Sequence, residues 1–302
     1  MTQEQEAKGT SAVSLHPADA QGKPAAPGRQ GKPRQHDKVT RMGTESIPRL
    51  ITEFAIPSIL GMLVNGAYNV IDSIFLGQAM GEIGLSTATV AMPIMMVFMA
   101  IAMLIGNGGN ALAALRMGEG KPEEAERSLG NTVTLSLIAS VAVAIAMFVP
   151  ACIDGLLSVS GATPEDWDYA MRFIRIISLG FIFQCIGMGV NNFIRTAGAP
   201  NRALGTMIIG AVACTVFNAL FVLVMGMGVV GSALATVCGQ AISCATVLWY
   251  FCLTKGVPMR LRLHMMPLHG ETVRLILSLG LASFAVQAGM AAVNFVLNNL
   301  LN

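Results

Sequence analysis

The sequence predicts an all-α membrane protein, a polytopic bundle of transmembrane helices, and three observations support this fold class. Hydrophobic residues make up 54% of the 302 residues. Charged residues make up only 12%, about half the fraction usual in soluble domains. Uncharged apolar runs long enough to cross a bilayer as helices recur along the chain. Aromatic residues, at 6%, are too few for the aromatic girdles of an outer-membrane barrel, whereas 32 Gly and 20 Met suit packed helices.

The N-terminal segment, residues 1–44, differs in composition from the rest. It is rich in Lys, Gln, Gly, Pro and Ser and almost lacks large apolar residues, so it cannot bury enough surface to offset its ordering entropy. No short apolar run follows its charges before Ile51, which argues against a signal peptide. We expect a disordered tail.

The uncharged runs predict seven spanning helices. Residues 54–71, 83–115, 128–153 and 176–194 each hold one. The run 203–254 is too long for one crossing, and the glycines of Met225-Gly226-Met227-Gly228 permit a tight reversal, so it predicts two helices. After a charged loop, residues 275–302 predict a seventh helix. The prolines Pro57 and Pro93 lie inside the first two helices and are expected to kink them.

Loop charges predict the orientation in a plasma membrane. Cytoplasmic loops carry an excess of Lys and Arg. The tail and the loops after the second, fourth and sixth spans hold nearly all such residues, and only Arg172 and Arg175 fall on the other side. That other side carries most of the acidic loop residues. The N-terminus is therefore expected to be cytoplasmic.

Several functions are disfavoured by the residues present. A net charge of +2 is too small for a nucleic-acid-binding protein. The six cysteines form no CxxC pair, and the four histidines lie outside the predicted spans, so no metal site is expected. The sequence contains no Ser-His-Asp set, HExxH motif or phosphate-binding loop, and we expect no enzyme.

Asp72 is the carboxylate embedded in an otherwise apolar helix, and an intramembrane ionisable residue suggests function. Asn65, Asn69 and Asp72 are spaced four and three apart and share one helical face, with Tyr68 beside it. The alternative is a position near the membrane interface, because eighteen preceding residues rise about 27 Å. The residues alone leave both interpretations open.

Glycines suggest two further contact surfaces. Gly106, Gly108 and Gly109 with Asn107 and Asn110 form a small polar patch, which could serve as a hinge or as a close-packing surface. Gly231 and Ala235 form a small-xxx-small pair that favours close helix contact.

Ordered motifs resemble those of the multidrug and toxic compound extrusion (MATE) transporters. Residues 191–200 read NNFIRTAGAP and residues 228–237 read GVVGSALATV, similar to the fourth-to-sixth helix pattern of that family. The first helix agrees, with IPSIL at 56–60 and YNVID at 68–72, as does MGEGK at 117–121. The resemblance runs from about residue 47 to residue 302.

The resemblance implies twelve helices in two lobes that export small organic, often cationic compounds against a Na⁺ or H⁺ gradient. Residues 45–255 then form the six-helix first lobe. Residues 256–302 form a cytoplasmic loop and the first helix of a truncated second lobe. The chain is thus expected to be a fragment whose partners are a small-molecule substrate, the lipid bilayer, and a second half or a second copy.

The resemblance also implies a cation site. In the family it joins an Asp of the first helix, an Asn and an Asp of the fifth, and a Thr of the sixth. Asp72 and Thr236 match, whereas Cys214 and Asn218 stand where the family has Asn and Asp. A thiol is a poor Na⁺ ligand, and a desolvated carboxylate favours its protonated form. The hypothesis is therefore that Asp72 binds H⁺ and that Na⁺ binds weakly, with no other cofactor. The alternative is that coupling resides in the missing lobe.

Five residues are candidates for the substrate path: Tyr68, Asn69, Gln184, Asn191 and Asn192. An exporter of lipid-linked compounds or metabolites is an alternative function, although no basic residue lies deep in a predicted span. A membrane subunit that does not itself transport is the second alternative.

Overall fold

The computed structural model describes residues 47–254 and 257–301, so the predicted tail, residues 1–44, lies outside the described residues. The described residues fold into helices and contain no strand, which confirms the all-α fold class. A π-helical turn covers Ala219–Val224, and a 3₁₀ turn covers Leu263–Met265. The helices are α1 (Ile47–Gly118), α2 (Pro122–Phe148), α3 (Pro150–Val159), α4 (Trp167–Thr196), α5 (Pro200–Asn218), α6 (Gly228–Leu253) and α7 (Gly270–Leu301).

Helix α1 consists of two arms that meet at Gly81. Gly81 has φ 60° and ψ −133°, a backbone conformation that residues with a Cβ rarely adopt. The first arm covers residues 47–80 and the second covers residues 82–118. These arms correspond to the first two predicted helices, with Pro57 and Pro93 inside them as expected.

Six stretches are long and apolar enough to cross a membrane by length and composition. In the first arm of α1 the apolar stretch identified among the described residues is the shorter Ala55–Val64, so the predicted span at 54–71 stays a prediction. The six stretches are Met80–Gly118, Pro122–Phe148, Trp167–Thr196, Pro200–Val224, Gly228–Leu253 and Gly270–Leu297.

The prediction of one helix over residues 128–153 is wrong at its C-terminal end. Helix α2 ends at Phe148, Val149 is extended with ψ 117°, and α3 starts at Pro150. A proline disfavours the α conformation of the residue before it and cannot donate a backbone hydrogen bond. The apolar run continues past Pro150, so hydropathy alone does not reveal the break.

The predicted reversal between the fifth and sixth spans is confirmed. Helix α5 and its π-helical turn end at Val224, and α6 begins at Gly228. Gly226 and Gly228 both have positive φ, 64° and 56°. Glycine adopts this region without the penalty that a Cβ would bring.

Two ends of the bundle can be distinguished by charge. At the basic end, Glu126 accepts a hydrogen bond from the backbone N–H of Arg260 at 3.0 Å and pairs with the Arg262 guanidinium at 3.1 Å. These contacts hold the α6–α7 loop against the start of α2. At the acidic end, Ser86 donates a hydrogen bond to the buried carboxylate of Asp166. The second arm of α1 and α4 start at this acidic end.

The glycine patch on the second arm of α1 is a close-packing surface. A Cβ on Gly106 would collide with Gly189 Cα of α4, and one on Gly108 would collide with the Ile276 carbonyl oxygen of α7. From the other side, a Cβ on Gly280 would collide with the Leu104 carbonyl oxygen. Helices α4 and α7 thus both approach the second arm of α1 backbone to backbone. Of the two interpretations left open by the sequence, the structure supports close packing.

Candidate functional site

Asp72 meets two neutral donors from two other helices. It lies on the first arm of α1, and its Oδ1 accepts a hydrogen bond from Asn218 Nδ2 at 2.9 Å. Ser232 Oγ donates to the same oxygen, also at 2.9 Å. Asn218 ends α5 and Ser232 lies in the second turn of α6, and both side chains are buried. A single carboxylate is therefore joined to the α5–α6 hairpin by amide and hydroxyl groups.

Small residues allow α5 and α6 to form this site. A Cβ on Gly239 of α6 would lie 2.6 Å from Cys214 Cβ and 3.0 Å from the Gly210 carbonyl oxygen of α5. The two helices are thus in backbone contact on the basic-end side of the cluster. Asn218 immediately precedes the π-helical turn, and such local widening of a helix is frequent at functional sites.

The hydrogen bonds continue from Asn218 to the other two predicted ion-site residues. Asn218 Nδ2 approaches Cys214 Sγ at 3.6 Å, and the thiol of Cys214 lies 4.0 Å from Thr236 Oγ1. Both are long contacts of a weakly polar sulfur. The structure therefore brings Asp72, Asn218, Cys214 and Thr236 into one connected group. We call these four residues and Ser232 the Asp72 cluster.

One buried acceptor of this cluster is open. Asn218 Oδ1 has no hydrogen-bond partner among the side chains that the structure describes, and the residue is 1% exposed. A buried carbonyl oxygen without a donor is costly. The Asn218 oxygen can therefore accept a hydrogen bond from a proton donor or coordinate a cation. The neighbouring Asp72 carboxylate can itself bind a proton or a cation.

The groups of the cluster are suited to binding a proton or a small cation. Ser232 and Thr236 are buried hydroxyls, and Asp72 is the cluster's carboxylate. In the described part of the chain, no three His, Cys, Asp or Glu residues come together as a metal site would require. The group offers oxygen atoms to a small cation or a site for one proton, both of which a transporter can use as a coupling ion.

Ser232 was not predicted from the sequence, although a signal existed. It lies four residues before Thr236 and therefore on the same face of α6. Hydroxyls in helices commonly bond to the carbonyl one turn back, as Thr215 does to Ala211. Only the packing of the first arm of α1 against this face distinguishes Ser232 from such residues.

Among the candidate substrate-path residues, those whose side chains the structure describes make contacts away from the Asp72 cluster. Asn191 is buried and donates to the Ala203 carbonyl oxygen and to Thr206 Oγ1, which joins α4 to α5. Gln184 has a buried Oε1 without a partner among the described side chains. The side chains of Tyr68 and Asn69 lie outside the described residues.

Asn192, the remaining candidate, belongs to a second polar group. Its amide donates to Asn107 Oδ1 at 2.8 Å, and Asn107 Nδ2 donates to Ser283 Oγ at 3.1 Å. This chain of bonds links α4 through the second arm of α1 to α7. Asn107 belongs to the predicted polar patch, but its bonds were not predicted and Ser283 was not a candidate, since this pairing depends on how α7 packs.

The family follows from comparison with known proteins. The MatE family model matches residues 57–220, more than half of the chain, and includes Asp72, Cys214 and Asn218. The chain belongs to the MatE family. This confirms the resemblance of the motifs to MATE transporters.

Relatives and solved structures of this family agree. The chain is 26% identical over 254 residues to the probable multidrug resistance protein YpnP of Bacillus subtilis (strain 168), covering 82% of this chain and 55% of that protein. It is 23% identical to the multidrug export protein MepA of Staphylococcus saprophyticus, covering 84% and 55%. The solved structure of the MATE multidrug transporter DinF-BH matches with TM-score 0.80 and 34% identity, covering 86% of this chain and 57% of that one. The chain thus spans about half the length of the curated relatives it matches.

Proposed function

We propose that the protein containing this chain exports small organic, often cationic compounds by secondary active antiport. The observation that carries the proposal is the Asp72 cluster, a carboxylate held among apolar helices by Asn218 and Ser232. The names of the relatives YpnP, MepA and DinF-BH, all concerned with multidrug resistance, export or transport, support the substrate class. The chain contributes the first six-helix lobe and the opening helix of a second lobe.

The coupling ion in this lobe is proposed to be H⁺ in preference to Na⁺. Sodium favours several hard oxygen ligands, and in this chain Cys214 supplies a sulfur atom. Asn218 contributes a neutral amide where the family has a carboxylate, so the site offers less negative charge to a metal cation. A proton needs only one acceptor, and Asp72 provides it.

The protein is proposed to lie in the plasma membrane. Its basic end is proposed to face the cytoplasm. Lys and Arg concentrate in the loops at this end, in agreement with the positive-inside rule. The cluster then lies nearer the outer side, because Asp72 is eight residues from the end of the first arm at Met80.

A second half or a second copy is proposed to complete the transporter. Helix α7 packs on the second arm of α1 through Gly280, while much of its remaining apolar surface is exposed, including Leu281, Val286 and Val293. Lipid or a further lobe can cover that surface.

Efflux in proteoliposomes tests the proposal. The protein, with its second half present, is reconstituted with an imposed pH gradient, and export of a fluorescent organic cation is followed. Asp72→Asn is expected to reduce gradient-driven export at least tenfold, since the amide cannot exchange a proton. Asp168→Asn, an exposed carboxylate at the acidic end, is the matched control and should export normally.

The outcomes separate the alternatives. A membrane subunit without transport activity would move no substrate in either variant. An exporter of lipid-linked compounds would leave the organic cation inside but translocate a lipid-linked probe. Tight Na⁺ binding that Asp72→Asn abolishes would overturn the preference for H⁺.

A further inference from the structure

A cavity of about 550 Å³ lies at the acidic end, beside the α5–α6 turn. Its walls come from the end of the first arm of α1, the start of α4, the π-helical turn and the start of α6. The residues that line it include Met80, Arg172, Val222, Gly228 and Val229.

The cavity continues the Asp72 cluster toward the acidic end. Val222 follows Asn218 by one turn, and Val229 precedes Ser232 by three residues. Met80 follows Asp72 by eight residues, or about 12 Å along the helix. Each of the three helices that bond to one another at Asp72 therefore also lines the cavity. The cavity lies between the cluster and the acidic end of the bundle.

Met80 lies at the contact between the first arm of α1 and the α5–α6 hairpin. Its sulfur accepts a hydrogen bond from the Val229 backbone N–H at 3.2 Å. A Cβ on Gly228 would lie 2.6 Å from the same sulfur, so the methionine occupies the space that this glycine leaves. Methionine is unbranched and adaptable, and Met80 directly precedes the break at Gly81. It is therefore suited to move aside.

Arg172 determines the charge of the cavity. It is exposed, and it is the charged residue among the described residues that line the cavity. A fixed positive charge on the cavity wall lowers the local concentration of free cations and raises that of anions. A neutral water molecule in the cavity can still give a proton to the carboxylate, and the hydroxide that remains leaves as an anion, which the positive charge favours.

We propose that this cavity is the path by which the coupling ion reaches Asp72, with Met80 as its movable closure and Arg172 as a residue that selects against inorganic cations. The proposal rests on the proposed ion role of Asp72 and adds the route and the selectivity. It places access at the acidic end, on the side opposite to the basic loops.

Thiol modification tests the path without requiring transport. Cys214 lies in the cluster, and Val222→Cys adds a reporter on the cavity wall. The exposed Cys152 near the acidic end and Cys252 near the basic end indicate which side the reagent reaches. Membrane-impermeant anionic and cationic methanethiosulfonates are added to sealed proteoliposomes, and peptide mass spectrometry gives the rate at each cysteine.

The Met80→Ala variant is expected to raise the rate at Cys214 roughly fivefold from the side that modifies Cys152, since the closing side chain is shortened. Met80→Leu, which keeps the volume, is the matched control and should change the rate little. Faster modification of Cys214 from the Cys252 side would overturn the path. Equal rates in both Met80 variants and the wild type would overturn the closure.

Arg172→Gln tests the charge. At Val222→Cys the anionic reagent is expected to react roughly tenfold faster than the cationic one, relative to a free thiol, and Arg172→Gln should remove most of that preference. Arg175→Gln, one turn later on α4 and beside Phe148, is the matched control and should retain it. The two reagents are also compared at native Cys214. This measurement does not need the Val222→Cys variant and remains interpretable if that variant misfolds.

These results are independent of the coupling assay. Modification as expected together with full gradient-driven export by Asp72→Asn would keep the access route through the cavity but overturn the ion role of Asp72, and with it the assignment of that route to the coupling ion. Loss of export in Asp72→Asn with no modification of Val222→Cys from the acidic end would keep the ion role and overturn the path.

Discussion

Asn218 and Asn107 are both asparagines inside the bundle, but their surroundings differ. The amide of Asn107 is bonded on both sides, with Nδ2 donating to Ser283 and Oδ1 accepting from Asn192. The amide of Asn218 donates to the Asp72 carboxylate, while its Oδ1 has no partner among the described side chains. A satisfied polar network rigidifies a structure, and an open acceptor beside a carboxylate is available to an exchanging ion.

The backbone around the two amides reinforces this contrast. Asn107 lies between Gly106 and Gly108, where helices touch through backbone atoms and no Cβ fits. Asn218 lies at the start of a π-helical turn and one turn from a cavity. The difference indicates that the junction of α1, α4 and α7 holds the bundle together, and it supports the proposal that the coupling ion is bound and released where α1 meets α5 and α6.

The largest expected effect is on the stability of the close-packed junction. Gly280→Val would place side-chain atoms where the Leu104 carbonyl oxygen now lies, and overpacking of this kind costs about 3 kcal/mol. The midpoint of thermal unfolding in detergent should fall clearly. Gly289→Val on the same helix is the matched control, because no atom lies within 4 Å of a Cβ built there. Equal midpoints for the two variants would show that the junction is loose.

The next effect is the loss of the bonded amide. Asn107→Ala removes the hydrogen bonds of two half-buried groups, the Asn192 amide and the Ser283 hydroxyl, and at about 1 kcal/mol for each bond the loss is about 2 kcal/mol. The unfolding midpoint should fall, whereas the rate of export per folded molecule should be retained. Normal stability with impaired export would contradict the structural role of Asn107.

The sequence predicted more of the Asp72 cluster than of the close-packed junction. Asp72 was identified because a carboxylate stands out in an apolar helix, and the family resemblance located Asn218, Cys214 and Thr236. The glycine patch was identified from composition, but whether it packs or bends depends on α4 and α7, whose positions the sequence does not give. Ser232 was missed because a hydroxyl in a helix usually bonds to its own backbone.

Hydropathy predicted the helices better than their ends. The reversal at Gly226 and Gly228 was predicted because paired glycines interrupt an overlong run. The break at Pro150 was missed because the apolar residues continue on both sides of it. The break at Gly81 separates two predicted helices, but its backbone conformation depends on the two arms packing against their neighbours.

A functional effect of intermediate size is expected at the open amide. Asn218→Ala removes a hydrogen bond to a charged group, worth about 1.5 kcal/mol, so gradient-driven export should fall roughly tenfold. Stability should change less than in Asn107→Ala, because Asn218 Oδ1 already lacks a described partner. Thr215→Ala on the same helix is the control, as this hydroxyl bonds only to its own helix among the described contacts. Unchanged export in Asn218→Ala would remove the amide from the ion site.

The smallest effect is expected where charges meet outside the spanning helices. Hydrogen bonds from Arg116 at 2.8 Å and Lys121 at 3.2 Å hold the pKa of the Glu119 carboxyl below its ordinary value of 4.5. A lowered pKa in the folded state means that the stabilisation is complete above pH 4.5 and is lost as the pH falls through the folded-state pKa.

Glu119→Gln should therefore lower the unfolding midpoint slightly at neutral pH, flatten its dependence on pH below 4.5, and match the wild type at acidic pH. Glu123→Gln, an exposed carboxylate without a described ion pair, is the matched control. Since salt screens exposed charges, the difference between the two variants should disappear at about 0.5 M salt. A difference that persists at high salt would mean that Glu119 stabilises the α1–α2 connection through hydrogen-bond geometry and not through charge.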